Sequence, residues 1–150
     1  MRLTEHFTLQ EFLVSETAAR LGIDNTPTDE IIENLKRTAK HMEDVRVRLG
    51  DNVISVSSGY RSYALNNAIG GSKKSYHPFG LAVDFNCHRF GKPLDVCKAI
   101  AETDIPFDQL IHEGGTWVHI GFALEGDAPR RQLLTAFFPG PIYKEGLLPV

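Results

Sequence analysis

Apolar positions recur along the chain with two different periods, and the changes of period mark out its elements. In TLQEFLVSETAARLG, Thr8 and Glu11 have the spacing of a capping box. Leu9, Phe12, Leu13 and later Ala19 then keep a helical spacing, which predicts a first short helix ending before Gly22. In NTPTDEIIENLKRTAKHMEDVRVRLG, Thr26 stands as a cap and Pro27 suits a first helical position. Ile31, Leu35, Met42, Val45 and Leu49 share one face up to Gly50, so this is the longest helix expected. Val53 to Ser57 alternates at period two and reads as a strand. Leu81 to Cys87 does the same, with Leu81, Val83, Phe85 and Cys87 on a core face and Ala82, Asp84 and Asn86 on the other. After a helix near Leu94 to Glu102, FDQLIHE and TWVHIGF flank a glycine pair and predict an antiparallel hairpin. RRQLLTAFF fits either a last strand or a helical turn, and no internal repeat or low-complexity linker interrupts the chain.

These elements define an α+β fold: an antiparallel sheet with the amino-terminal helices on one face and a chemical site on the other. A length of 150 residues suits a single domain spanning 1–150 with one hydrophobic core. The net charge of −3 removes the electrostatic argument for nucleic acid as a partner. No apolar run approaches the roughly 20 residues of a membrane span, and MRLTEHFTLQEF lacks a signal-peptide core, so synthesis in the cytoplasm is expected. Cys87 and Cys97 are too few for a disulfide scaffold and lack zinc-knuckle spacing, which makes them buried, reduced thiols.

The chemistry concentrates in SYHPFGLAVDF. His77 and Asp84 are separated by Gly80, where the chain can turn sharply into a strand, so two donors can converge from a loop and a strand. A catalytic zinc takes three protein ligands and leaves a position open, and His119 is the best third donor. Taken alone the spacing is weak, and a loop histidine with a solvent-facing aspartate is the commoner reading. His6 and His41 read as structural or solvated, without an acidic partner nearby. His88 and His112 read as surface groups or as neighbours of the site.

Several motifs occur together and in order: SGYRS at Ser58 to Ser62, GGS at Gly70 to Ser72, SYHPFGLAVD at Ser75 to Asp84, and FDQLIHE with WVHIGF between Phe107 and Phe122. Together with the helical lead-in they resemble the M15 zinc peptidases over roughly Leu3 to Phe122. These are D-alanyl-D-alanine carboxypeptidases and cell-wall endopeptidases, and the small single-domain bacteriophage members are the most similar. The resemblance implies that His77, Asp84 and His119 bind one Zn²⁺, which would acidify a water and polarise the scissile carbonyl. It implies Glu113 as the general base and Arg61 as the residue that holds substrate or stabilises the developing oxyanion.

One position departs from the family pattern. The family's acidic base lies three residues before the last histidine, where this chain has Thr116, and Glu113 lies six before. A two-residue turn at Gly114 and Gly115 would put Glu113 and His119 on opposite faces of the hairpin. A three-residue loop, Gly114 to Thr116, pairs Glu113 with Trp117 and puts it on the face of His119, and this loop is expected. Ser72 and Ser75 either bond substrate or cap their loop, and Trp117 either packs or walls the pocket. Tyr60 and Tyr63 are expected to pack, while Lys73 and Lys74 are a solvated pair or attract an anionic peptide stem.

The function so implied is zinc-dependent hydrolysis of a peptide bond in bacterial peptidoglycan, by a monomer acting as a phage endolysin. Such a protein would be held in the cytoplasm until the membrane opens and would then act on a thin wall of the Gram-negative type. Removal of a terminal D-alanine is the enzymatic alternative. A zinc-containing module that binds wall peptide or a partner without cleaving it is the alternative of a different class.

Overall fold

A computed structural model describes residues 1–150. The expected first helix is two. Helix α1 spans Leu9–Leu13 and α2 spans Glu16–Leu21, with Val14 extended between them. The break follows from Ser15, whose hydroxyl accepts from the Ala18 N–H and so starts a new helix. The capping box of Thr8 and Glu11 forms as expected.

Helix α3, Asp29–Arg48, is capped by Thr28 rather than Thr26, and Pro27 lies before the cap. Its buried stripe runs through Leu35, Ala39, Met42 and Val45 to Leu49. Strand β1 is Ser55–Ser58, two residues later than expected at its start, and Val53 is exposed. Helix α4, Tyr63–Ala68, was not expected, and it leaves Tyr63 exposed instead of packed. Tyr60 does pack against the core. Strand β2, Ala82–Asn86, helix α5, Pro93–Ala101, and the hairpin of β3, Phe107–Glu113, with β4, Trp117–Phe122, follow the expected positions. RRQLLTAFF supplies strand β5, Gln132–Phe137, and β6, Ile142–Glu145, closes the sheet.

The strand order is β1-β2-β4-β3-β5-β6. The sheet is antiparallel except where β5 runs parallel to β3. The expected α+β fold with an antiparallel sheet forms, and the one parallel pair is an addition to it. Strand β4 already occupies one edge of β3, and the chain after Phe122 comes back to pair Gln132 with Gln109 near the start of β3 on its free edge.

One face of the sheet carries Val83, Phe85, Phe107, Leu110, Val118, Ile120 and Phe122 against the stripe of α3 and against Val96, Cys97 and Ile100 of α5. Both cysteines are buried and unpaired, and burial pushes the Cys97 thiol up to about 12, so it stays protonated. The opposite face of β2, β4 and β3 is therefore free to carry polar groups. His6 does have an acidic partner, since its Nδ1 lies 2.7 Å from Glu43. His41 stacks on Phe122 at 4.5 Å.

Candidate metal centre

His77 opens a single 3-10 turn, His77–Phe79, that ends at Gly80 with φ +72°. A side chain at Gly80 would be strained by that φ and would stand 3.1 Å from Leu35 Cγ and 3.2 Å from the Ile31 carbonyl. The turn therefore seats directly on α3, where the buried Thr38 hydroxyl donates to the Gly80 carbonyl at 2.7 Å. His77 itself is buried, and its Nδ1–H donates to the Gly59 carbonyl at 2.6 Å. That bond fixes the tautomer and leaves the Nε2 lone pair for the site.

Asp84 of β2 and His119 of β4 are direct cross-strand partners on the face away from the core. Asp84 Oδ1 lies 2.8 Å from His119 Nδ1 and 3.3 Å from His77 Nε2. One donor atom from each of the three residues lies within 4.8 Å of the other two. Burial would raise the Asp84 carboxyl, but His77 and His119 outweigh it and hold the group ionised. Burial likewise lowers His77 and keeps it neutral. An ionised Asp84 and a neutral His77 are in the states in which these groups ligate a divalent metal. Two nitrogen donors, one oxygen donor and no fourth protein ligand fit a borderline cation with a position left open.

Arg61 anchors the other side of the carboxylate. Its Nη2 donates to Asp84 Oδ2 at 3.0 Å, Nη1 to Asn66 Oδ1 at 3.2 Å, and Nε to Ser58 Oγ at 3.0 Å. Asn66 is buried and is tied to the next loop through its Nδ2 donation to the Ser72 carbonyl. Oδ2 is thus held by the guanidinium while Oδ1 faces the two imidazoles. The separation of 23 positions between Arg61 and Asp84, and the part of Asn66, left no pattern in the sequence.

Glu113 ends β3 and pairs with Trp117 across the three-residue loop Gly114 to Thr116, as expected, with the Thr116 N–H donating to the Glu113 carbonyl at 2.9 Å. Gly114 and Gly115 both take positive φ in that loop. Pairing of Ile111 with His119 in the same register places Glu113 on the face of His119. Glu113 is buried except where its carboxylate meets the cleft, no protein group donates to that carboxylate, and burial pushes its pKa up to about 7. His119 and Arg61 pull that value down, and Asp84 pushes it up. His112 points the other way, and its buried Nδ1 meets the Leu148 carbonyl at 2.9 Å, which removes it as an alternative base and from the surface. His88 is exposed.

These groups lie in a cleft of about 700 Å³. Trp117 lines it and meets Phe138 at 5.8 Å between ring centroids. Ser72 and Ser75 line it too while capping their own loop, accepting from the N–H groups of Lys74 and His77 at 3.1 Å each. The two serines thus cap their loop at the rim of the cleft, and Trp117 both packs and walls it. Lys74 reaches the cleft. Gln109, Gln132, Arg130 and Tyr143 also line it, and no spacing in the sequence connected them to the site.

A trio that could hold a metal ion lines a cleft, with the Glu113 carboxylate on the same face, and this is the arrangement a metallohydrolase needs. The peptidase M15 family description matches residues 5–121, and the chain belongs to that family. It is a peptidase, it acts on a peptide substrate, and M15 peptidases are zinc-dependent. No curated protein matches the chain. No helix is long and apolar enough to cross a membrane.

Proposed function

We propose that the chain is a zinc-dependent peptidase that cleaves a peptide bond within bacterial peptidoglycan. The observation that carries this reading is Glu113, a buried carboxylate with no donor of its own, on the face that holds His77, Asp84 and His119. In this reading His77, Asp84 and His119 hold the ion. When bound, Zn²⁺ supplies Lewis acidity that acidifies water and polarises a carbonyl.

The chain's own residues do the rest. Glu113, with a pKa near neutrality, takes the proton of the attacking water at one carboxylate oxygen and returns it to the leaving amine. Arg61 locks Asp84 through Oδ2 and brings a fixed positive charge to the cleft wall, where negative charge develops on the carbonyl oxygen. Ser72, Ser75 and Trp117 flank the bound peptide.

An internal bond is favoured over a terminal one by the extent of the cleft on both sides of the trio. Trp117, Phe138 and Tyr143 lie at one end, and Gln109, Gln132 and Arg130 at the other. The test uses purified muropeptides of two kinds, cross-linked dimers and monomers ending in D-Ala-D-Ala. The account expects dimers to be cut and the terminal D-alanine to stay, and the reverse pattern would replace it with the carboxypeptidase reading.

The lysis role of an endolysin is part of the same proposal. Induced expression should lyse Gram-negative cells only when a membrane-permeabilising protein is expressed with it. Lysis on expression alone, or none with permeabilisation, contradicts that role.

A further inference from the structure

The family match ends at residue 121, yet residues beyond it contribute to both ends of the cleft. Among these, Arg130 is held in an unusual way. Asp108 beside it is buried and accepts from Arg130 Nε at 3.2 and 3.1 Å, from Nη2 at 2.7 Å and from the backbone N–H at 2.9 Å. The guanidinium is thus clamped side-on, although its side chain is 55% exposed, so the clamp fixes a group that solvent and ligand can reach. Asp108 takes none of the Nη1 hydrogens, and the Tyr76 hydroxyl is the other side-chain group bonded to this pair, so the edge formed by Nη1 and the second Nη2 hydrogen is shared between Tyr76 and any ligand. That edge has the spacing of a carboxylate.

Its place in the cleft fits such a use. Gln109 pairs with Gly121, two residue pairs beyond Ile111 and His119, or roughly 7 Å along the strands. Gln109 and Gln132 bond to each other at 2.9 Å and floor this end. Tyr76 stands over Gly121, its ring 3.5 Å from where a Cβ would lie. Tyr76 and Arg130 also line a second cavity of about 360 Å³, whose walls combine Phe79, Leu81, Ala123 and Leu124 with the carboxylates of Asp108 and Asp127. A side chain can enter that mixed cavity while a carboxylate on the cleft side meets Arg130.

We propose that Arg130 is a specificity-determining residue that selects peptides bearing a free carboxylate about two residues from the scissile bond, with Asp108 as the group that presents it. The inference rests on the peptidase reading above. Arg130 lines the same cleft as His77, Asp84 and His119, so its exposed side chain lies within reach of a peptide bound there.

The test begins with a synthetic peptide that spans the bond the wild type cuts in sacculi, made with each acidic position as the carboxylate or as the carboxamide. The wild type should prefer one carboxylate form by about ten- to a hundredfold, carried in KM rather than kcat. Arg130→Gln leaves Asp108 buried without its partner, so the double variant Arg130→Gln/Asp108→Asn is tested with it. Both should cut the two forms alike, with kcat within about threefold of wild type. Arg130→Lys should keep the charge but lose most of the preference, because it has no planar fork. Equal cleavage of the two forms by the wild type, or a preference that survives in all three variants, overturns the proposal and leaves the peptidase reading intact. If the wild type cuts nothing, that reading fails. Calorimetry of stem tripeptides, acid against amide, on the zinc-loaded protein then decides Arg130 separately: tighter binding of the acid that Arg130→Gln abolishes supports the anchor, and equal binding overturns it.

Discussion

Replacing Glu113 by glutamine should make the enzyme slower and the metal-free protein more stable. The carboxylate is buried, accepts no hydrogen bond and is pushed up to about 7 from an ordinary value of 4.5. A glutamine of nearly the same shape carries no charge and forfeits no hydrogen bond. In the wild type the folded state holds the proton more tightly than the unfolded chain, so Glu113 costs nothing below pH 4.5. The cost grows as pH rises to 7 and is constant above, reaching at most about 3 kcal/mol. Unfolding of both proteins in chelator, followed from pH 4.5 to 8, should therefore show curves that coincide at the acid end. They should separate by about 1–3 kcal/mol at the other, or up to roughly 10 °C in Tm for a domain of this size. Loss of the proton carrier should lower kcat by about 10²–10⁴. Activity within tenfold of wild type would refute the role of Glu113. A variant less stable than wild type at pH 8 would refute the picture of an unpartnered, destabilised carboxylate.

Other perturbations test the supports of the site. Arg61→Lys keeps the charge but not the fork that reaches Asp84, Asn66 and Ser58, and competition with a chromogenic chelator should show zinc affinity reduced about 10- to 100-fold. At Gly59 an added Cβ would stand 2.7 Å from Phe12 Cα, so Gly59→Ala must shift the carbonyl that orients His77. Denaturant unfolding should register about 1–3 kcal/mol, with weaker zinc binding in the same protein. Thr38→Val removes the 2.7 Å bond that seats the Gly80 turn on α3, and the unpaired carbonyl should cost about 1–3 kcal/mol in urea melts. In kcat/KM, an acid limb due to Glu113 should lie at or below pH 7, because a bound cation favours the ionised carboxylate, and the limb should vanish in Glu113→Gln.

The parts of this molecule that were legible beforehand are those in which neighbouring residues constrain each other. The alternation from Leu81 to Cys87 put Asp84 on the polar face, and the three-residue loop followed from asking which turn lets Glu113 and His119 share a face. Direction is not encoded in alternation, so the parallel pairing of β5 with β3 left no mark in QLLTAF. Strand β6 is exposed along its length and shows no apolar period at all. Ser15 was a readable cap that the longer period of the flanking leucines masked. The Arg61–Asp84 and Arg130–Asp108 contacts join residues more than twenty positions apart and exist only once the sheet has formed.

The central claim is that His77, Asp84 and His119 hold the ion on which wall-peptide hydrolysis depends. Its most direct test is digestion of purified Gram-negative sacculi by the metal-free protein, then with Zn²⁺ restored, with released fragments identified by mass spectrometry. The account predicts no release without metal, recovery of one defined set of peptides with about one zinc per chain, and neither in His119→Ala. Release of the same peptides in the presence of chelator, or by His119→Ala, would contradict it.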